Sequence, residues 1–301
     1  MRVAIIGAGM AGLACAAKLK AAGHDVALFD KGRGPGGRMS ARRVPTPAGE
    51  ASFDHGAQYF TARDPAFTAQ VEAWRRDGVA APWPDAGPDA WVGTPAMNAP
   101  VKQMAAQQDV TWSTLIEALP LRDGRYDAVV VATPAEQAAP LLHPWDLRMA
   151  ARAAAVRSLP CWTAMAAFAD PLDTTATVLR EEGIIGWAAR NSAKPGRTGP
   201  EAWVIQAGPD WSAAHLEEQP ETVLPVLLAA FAARLGIRLP APLTATAHRW
   251  RYAKCGTSEP GPQWNAALGL GMCGDWLLGP RVECAWLSGD RLAEAMLTDP
   301  V

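Results

Sequence analysis

The sequence predicts a two-part α/β fold: a parallel sheet flanked by helices, with an antiparallel sheet inserted into it. Three observations predict this. A strand, a glycine turn, a helix and a second strand fill residues 2–29. A late strand and helix fill residues 268–297, and a series of strands separated by long loops lies between residues 161 and 252. The length of 301 residues allows two domains at about 150 residues each.

The first unit is read residue by residue. Arg2–Ile6 is a short apolar run rich in β-branched residues, the pattern of a strand buried on both faces. Gly7-Ala-Gly9-Met10-Ala11-Gly12 follows, then a helix over Leu13–Ala22 closed by Gly23. A strand over His24–Phe29 ends at Asp30. In this context G-x-G-x-x-G has a mechanism. Gly7 permits the tight turn, Gly9 lets backbone approach a pyrophosphate, and Gly12 lets helix and strand pack closely. The helix N-terminus offers free N–H groups and a positive dipole to phosphates. Asp30 stands 18 residues past Gly12, close to the spacing of the acid that holds adenosine ribose hydroxyls. A carboxylate there repels a 2′-phosphate and disfavours NADP in this slot.

Composition narrows the rest. Lys+Arg 28 against Asp+Glu 30 gives a net charge of −2, which argues against a nucleic-acid binder or a polybasic membrane surface. Hydrophobic residues at 49% with 19% charged exclude a disordered chain. Five scattered cysteines form no C-x-x-C pair and no disulfide framework, so a reducing cytoplasmic location is expected. The five histidines are isolated, and no metal is expected. The apolar stretch Val3–Ala22 is interrupted by Gly7, Gly9, Gly12, Lys18 and Lys20, and is read neither as a signal peptide nor as a membrane span. Thirteen Trp against three Tyr and six Phe either fill the core or line a pocket for a flat ligand.

After Asp30 comes a glycine-rich basic stretch, Lys31 to Arg43, containing Gly36, Gly37, Arg38 and Met39. A second Gly-Gly with an adjacent Arg suits the far side of a pyrophosphate, with guanidinium paired to phosphate oxygen. Phe53-Asp-His55-Gly56-Ala57-Gln58-Tyr59-Phe60 follows. Near the other end, Leu268–Cys273 reads as a strand running into Gly274-Asp275, and Pro280-Arg281-Val282-Glu283 opens a final helix to about Leu297. This order resembles the flavin amine oxidase superfamily. The set GGRMSARR (36–43), FDHGAQYFTARDPAF (53–67), HRWRYA (248–253) and GDWLLGPRVECAWLSG (274–289) is similar to its renalase branch, including short bacterial members.

The resemblance implies a Rossmann-like FAD-binding domain of the GR2 type with an inserted antiparallel-sheet substrate domain. It implies noncovalent FAD, held by Gly7, Gly9, Met10, Ala11, Gly12, Asp30, Lys31, Gly37, Arg38, Met39, Gly56, Ala57, Gln58, Tyr59, Gly274, Asp275, Arg281, Val282 and Glu283. It also implies a backbone contact from Val110 to the adenine, and places the turn at Thr133-Pro134 near the flavin phosphates. The final helix is expected to aim its N-terminus at the flavin ring, where its dipole favours the charge of the reduced form. The covalent Cys–flavin motif of some relatives is absent, and Cys273 and Cys284 are read as small apolar residues.

The middle of the chain follows by pattern. Residues 78–100, rich in Pro and Gly, read as a surface excursion. A short helix over Val101–Gln107, a strand over Asp109–Thr114, a buried strand over Asp127–Thr133 and helices at 135–142 and 146–157 come next. Strands are expected over Cys161–Phe168, Gly183–Arg190, Ala202–Ala207 and Leu243–Tyr252. Pro220–Leu235 carries an apolar stripe at helical spacing, read as core packing. The expected division is a discontinuous FAD-binding domain of residues 1–75, 101–135 and 254–301, and a substrate domain of residues 76–100 and 136–253.

A bound flavin carries the redox chemistry and the protein supplies position and electrostatics. The resemblance implies oxidation of isomeric dihydronicotinamide nucleotides, the 2- or 6-dihydro forms, to NAD(P)⁺, with hydride passing to flavin N5 and O₂ reduced to H₂O₂. A flat ring with phosphates wants aromatic walls and Arg. His248, Trp250 and Tyr252 share one face of a strand and Arg249 and Arg251 the other, which is either a pocket wall or ordinary packing. Candidate catalytic residues are His55, Gln58, Trp250 and Tyr252; Trp187 and Trp286 are further pocket candidates. His55 is a flavin neighbour, a turn residue or a general base. Amine oxidases generally place a lysine near flavin N5, yet of six lysines only Lys194 and Lys254 fall in or near the substrate domain, and neither lies in a matched segment. An amine oxidase or dehydrogenase of the same fold is the alternative, and a non-catalytic flavin-binding redox sensor the second alternative.

Overall fold

The computed structural model describes residues 1–121, 124–258 and 261–301. In chain order the elements begin with β1 (Arg2–Ile6), α1 (Met10–Ala21) and β2 (Asp25–Phe29), then β3 (Arg42–Thr46), β4 (Gly49–Phe53), β5 (Phe60–Thr61) and α2 (Pro65–Arg76). Next come β6 (Ala80–Pro82), β7 (Ala90–Gly93), α3 (Ala99–Ala106), β8 (Asp109–Thr111), β9 (Ala128–Val131), α4 (Ala135–Leu142) and α5 (Leu147–Ala155). The second half holds β10 (Leu159–Phe168), β11 (Val178–Glu182), β12 (Ile185–Arg190), β13 (Glu201–Ala207), α6 (Pro209–Ala214), α7 (Pro220–Leu235), β14 (Thr244–Lys254), β15 (Gln263–Asn265), β16 (Leu270–Met272) and α8 (Val282–Thr298).

Two large sheets organise the molecule, in agreement with the α/β class expected from the sequence. The first runs β15-β16-β9-β1-β2-β8 and is parallel except for β15. Its strands therefore come from both ends of the chain. Alternation along β1 explains why an unbroken apolar run was needed. Val3 and Ile5 pack with Leu13, Leu19 and Leu292, while Ala4 and Ile6 pack with Leu142, Met149 and Trp276. Both faces are covered, so neither set of alternate residues can be polar.

The second sheet is antiparallel, in the order β11-β12-β13-β10-β14. One face lies under α7: Val223, Leu227 and Phe231 pack on Trp162, Ala164, Phe168, Trp203 and Ile205, as the apolar stripe predicted. On the opposite face Met165, Ala167 and Val204 meet Ala51 and Phe53 of β4. Among the described residues no helix is long and apolar enough to cross a membrane.

Three expectations need correction. Residues 78–100 are no surface excursion. They contain β6 and β7, of which β7 pairs with both β5 and β6, and bury Trp83, Ala86, Ala90 and Val92 in the core shared with β1. Proline and glycine set the turns there, and tryptophan supplies the anchor. The hairpin of β3 with β4 was not anticipated. Nor was α2, although its signals are local: Asp64 accepts the Ala66 N–H at 2.9 Å, Pro65 sits in the first turn, and Phe67, Val71 and Trp74 form a buried stripe.

Helices α1 and α8 touch backbone to backbone. A Cβ on Gly289 would stand 1.9 Å from the Ala11 carbonyl oxygen, so no side chain fits there. Gly289→Ala is expected to destabilise the protein by about 3 kcal/mol through overpacking. Urea unfolding at unchanged m-value measures this, and a loss within error of zero contradicts the packing described.

Candidate functional site

The glycine turn after β1 is shaped by backbone contacts. Gly7 has φ +110°, donates its N–H to the Phe29 carbonyl at 2.8 Å, and would place a Cβ 2.7 Å from the Ala132 oxygen. A Cβ on Gly12 would lie 2.0 Å from the Gly7 oxygen, so α1 sits directly against the turn. Gly9 is different: a Cβ there meets nothing within 4 Å. Gly37 (φ +53°) faces the same space, where its Cβ would approach only the Gly9 Cα at 4.0 Å. The two glycines thus border an open groove of bare backbone. Leu13 makes the first bond of α1 to the Gly9 carbonyl at 2.9 Å, and no side chain caps the helix, so its leading N–H groups have no intrahelical partner.

Asp30 holds this turn together. Its carboxylate accepts the Ala8 N–H at 2.8 Å and the Gly32 N–H at 2.7 Å. Each oxygen keeps a lone pair, but the carboxylate has a structural task as well as the ribose contact expected from spacing. Lys31 is exposed, Val110 is half-buried on the edge strand β8, and Met10, Ala11 and Met39 are buried beside the turn.

Arg38 makes a bidentate pair with Asp275, both bonds 2.7 Å, and is about a third exposed. The expectation of a guanidinium reserved for phosphate needs revision: two of its five donors are engaged by this carboxylate. The Gly274 N–H donates to Ser288 Oγ at 2.9 Å, which fixes the approach to α8. That helix also starts without a side-chain cap, at Arg281-Val282. Glu283, 2% exposed, turns its carboxylate away to accept the N–H groups of Arg63 and Asp64 at 2.6 and 2.7 Å. Its side chain braces the entry to α2, where the sequence had suggested a cofactor ligand.

The turn from Asp54 to Tyr59 links this groove to the antiparallel sheet. Gly56 lies against Arg38, where a Cβ would come 2.1 Å from the Arg38 oxygen, and the Ala57 N–H donates to that oxygen at 2.8 Å. Gln58 donates its amide to the carbonyls of Asp54 (2.5 Å) and Gly56 (3.0 Å) and accepts from Lys194 Nζ at 3.1 Å. All of these are contacts within the scaffold, so Gln58 is a strut of the turn. Asp54, fully buried, pairs with Lys194 (3.2 Å) and Arg197 (2.5 Å) and accepts the Met97 N–H at 2.9 Å. Burial pulls the Asp54 carboxyl upward, but the two cations outweigh it and hold it below the usual carboxylate range. Burial drives Lys194 down to about 8 against the pull of Asp54, which leaves it charged at neutral pH.

Across the sheet, register places Trp187, Gln206, Thr163 and His248 in one cross-strand row, with Cys161 and Trp250 paired in a row beside it. Directly paired residues share a face, here the face toward the turn. Gln206 Nε2 donates to the Gly56 carbonyl at 2.9 Å, and Trp250 Nε1 donates to the His55 carbonyl at 2.8 Å. His55 stacks on Trp250 with ring centres 5.2 Å apart and meets His248 edge-on at 5.1 Å. Burial, then His248 and Arg42, push His55 down to about 4, so it is uncharged at neutral pH. Its buried Nδ1 has no hydrogen-bond partner, and neither does Trp187 Nε1. Tyr59 packs on Trp187 at 5.4 Å, with the Arg180 guanidinium 5.1 Å above the Trp187 ring.

On one face of the sheet the structure therefore gathers two aromatic groups, His55 with Trp250 and His248, and Tyr59 with Trp187, with Gln206 and Thr163 between them. It leaves Tyr252 out of the ring contacts of this cluster. Trp286 is a core residue, 9% exposed and 5.6 Å from Phe67. Sequence reasoning missed Asp54, Arg197, Thr163 and Gln206, and named Lys194 only as one of two lysines in or near the substrate domain. Asp54 lay inside a motif singled out for its neighbours. The other four had no local signal, since their roles come from partners far along the chain. Among the described residues no group of three or more His, Cys, Asp and Glu could hold a metal.

Residues 5–73 match the NAD(P)-binding Rossmann-like domain family. A 40-residue stretch is 55% identical to a 4,4′-diapophytoene desaturase (4,4′-diaponeurosporene-forming) of Staphylococcus haemolyticus; it spans 13% of this chain and only 8% of that enzyme's length. Over nearly the whole chain the fold is similar to a redesigned putrescine oxidase (TM-score 0.75, 13% identity, 99% of this chain and 98% of that one). It is also similar to cyclohexylamine oxidase from Brevibacterium oxydans (TM-score 0.72, 12% identity, 99% and 98%) and to reduced UDP-galactopyranose mutase (TM-score 0.67, 12% identity, 99% and 95%). The fold is thus that of two amine oxidases and of a mutase, so it does not by itself select a reaction.

Two stability predictions follow from the buried charges. Asp54→Asn leaves Lys194 and Arg197 without their counter-ion and is expected to cost about 3–5 kcal/mol, read from chemical denaturation; a cost under about 1 kcal/mol contradicts the pairing. The second concerns pH. Folded His55 titrates near 4, below its ordinary 6.5. The unfolded chain binds more protons in that window, so stability falls as pH drops from about 6.5 to 4. His55→Gln is expected to flatten that slope in a series of thermal midpoints; an unchanged slope places His55 elsewhere.

Proposed function

We propose that the chain is a FAD-dependent oxidase that takes hydride from isomeric dihydronicotinamide nucleotides, the 2- or 6-dihydro forms, and returns NAD(P)⁺. The observation that carries this reading is a bare-backbone groove at Gly9 and Gly37 together with an aromatic face whose histidine His55 is uncharged. That face carries two orphaned buried ring nitrogens, His55 Nδ1 and Trp187 Nε1. The groove fits a dinucleotide, because a Cβ at either glycine would occupy the space a pyrophosphate needs. The uncapped first turns of α1 and α8 add N–H donors for its anionic parts. FAD, when bound, supplies an electron acceptor that O₂ can reoxidise to yield H₂O₂.

The protein's own residues do the rest. The backbone at Gly9, Gly37 and the start of α1 binds phosphate. Asp30 holds the turn and has lone pairs left for ribose hydroxyls. Trp187, Tyr59 and Trp250 offer faces to a flat ring and exclude water beside it. His55 stays neutral across the physiological range and can orient a polar edge without repelling a nicotinamide. An amine substrate would arrive as a cation and want a carboxylate. The buried carboxylate at the turn, Asp54, is already paired with two cations. No free carboxylate is thus left at this turn to receive an ammonium. The likeness in fold to putrescine and cyclohexylamine oxidases keeps amine oxidation as the second reading.

Anaerobic mixing of the yellow protein with 2- and 6-dihydro-NAD, against a panel of amines, decides between them. Loss of the flavin's visible absorption is expected with the dihydropyridines alone; bleaching by amines alone replaces the reading with the second one, and a flavin reduced by neither leaves a non-catalytic role. Arg38→Ala is expected to weaken FAD retention at least about tenfold, since it leaves the nearly buried Asp275 unpaired beside the groove. Retention of a full complement of FAD after gel filtration contradicts the placement.

A further inference from the structure

The turn at Asp54 is held by two cations around one carboxylate. Arg197 alone satisfies the carboxylate: Nη2 donates to Asp54 Oδ2 at 2.5 Å, Nη1 donates to the carbonyls of Gly93 and Pro195, and the side chain is 1% exposed. Lys194 nevertheless approaches the same oxygen at 3.2 Å, with a side chain that is 0% exposed. Among the described residues neither cation touches a second carboxylate. One elementary charge is therefore uncompensated in a place without water, where an isolated ion is costly. The Trp83 ring, 5.1 Å from Nζ, and the Gln58 oxygen soften that cost without cancelling it.

The direction of the extra cation is informative. Through Gln58 it is tied to the carbonyls of Asp54 and Gly56, the two that flank His55. The charge is thus coupled to the backbone of the turn from which His55 projects. A net buried charge bonded to this turn acts electrostatically on whatever lies against the turn.

We propose that Lys194 is an electrostatic positioning residue: the uncompensated charge of the Asp54–Lys194–Arg197 cluster favours the electron-rich, reduced state of the cofactor lying against the 55–58 turn. This rests on the reading that the cofactor is FAD. At an effective dielectric constant of about 20, a unit charge roughly 12 Å away shifts such an equilibrium by about tenfold.

The test is the two-electron midpoint potential of the FAD-loaded protein at pH 7, measured against a reference dye. Lys194→Met keeps the length of the side chain and leaves a one-to-one pair of Asp54 with Arg197. Its reduction equilibrium is expected to be about tenfold weaker, a shift of about −30 mV, with FAD content and thermal midpoint not reduced. Arg197→Met removes the same net charge by the other route and is expected to move the potential in the same direction; it serves if Lys194→Met does not fold. Lys194→Arg, which keeps the charge, is expected to hold the wild-type potential. A folded, FAD-loaded Lys194→Met or Arg197→Met protein with the wild-type potential overturns the proposal, as does a folded Lys194→Met protein that has merely lost its FAD. A wild-type protein that takes up no FAD removes the cofactor reading instead.

Discussion

Everything in this molecule depends on a contact between residues 237 positions apart, the bidentate pair of Arg38 with Asp275. Arg38 follows the groove glycine Gly37, and Asp275 leads into α8. The pair therefore ties the early glycine segments to the late strand and helix that complete the parallel sheet. The Gly289–Ala11 contact does the same on the helical side, and Glu283 extends the tie to α2. The site is consequently a junction between distant segments, with its position set by three independent locks.

The second half of the site hangs on the first through one turn. Gly56 and Ala57 rest on the Arg38 backbone, while Gln206 and Trp250 reach across from the antiparallel sheet to the carbonyls of Gly56 and His55. The carbonyls of Asp54, His55 and Gly56 all accept side-chain hydrogen bonds. That arrangement leaves the rings of His55, Trp250, Tyr59 and Trp187 as its working surface. It also explains why the buried ions gather here. A turn that carries so many hydrogen bonds through its carbonyls needs a fixed anchor, and Asp54 with its two cations supplies one.

How much of this was legible in the sequence varied with the range of the interactions. The unit of β1, α1 and β2 was readable in order and type, with α1 starting at Met10 where Leu13 was expected, because a strand buried on both faces and a glycine turn both leave local marks. So was α7, whose stripe repeats every turn. Alternation along β14 told that His248 and Trp250 share a face, but not that Thr163 and Gln206 would stand beside them, because register between strands is not written locally. Lys194 was least legible. In sequence it is a lysine before a Pro-Gly turn, the sort of residue that lies in water; only Asp54, 140 residues earlier, makes it a buried ion. Residues 78–100 misled for the opposite reason: a composition typical of loops concealed two short strands held by Trp83.

The separation of Arg38 from Asp275 has a consequence for biosynthesis. While the ribosome is still translating the antiparallel sheet, the nascent N-terminal segment already has its strand, turn and helix but lacks β16 beside β9 and α8 beside α1. An apolar strand edge and an apolar helix flank stay uncovered through most of elongation. The long loop that must close before those surfaces are covered makes this a slow assembly by topology alone. Chaperone occupancy during translation should therefore concentrate on the first helix and persist until the final one emerges.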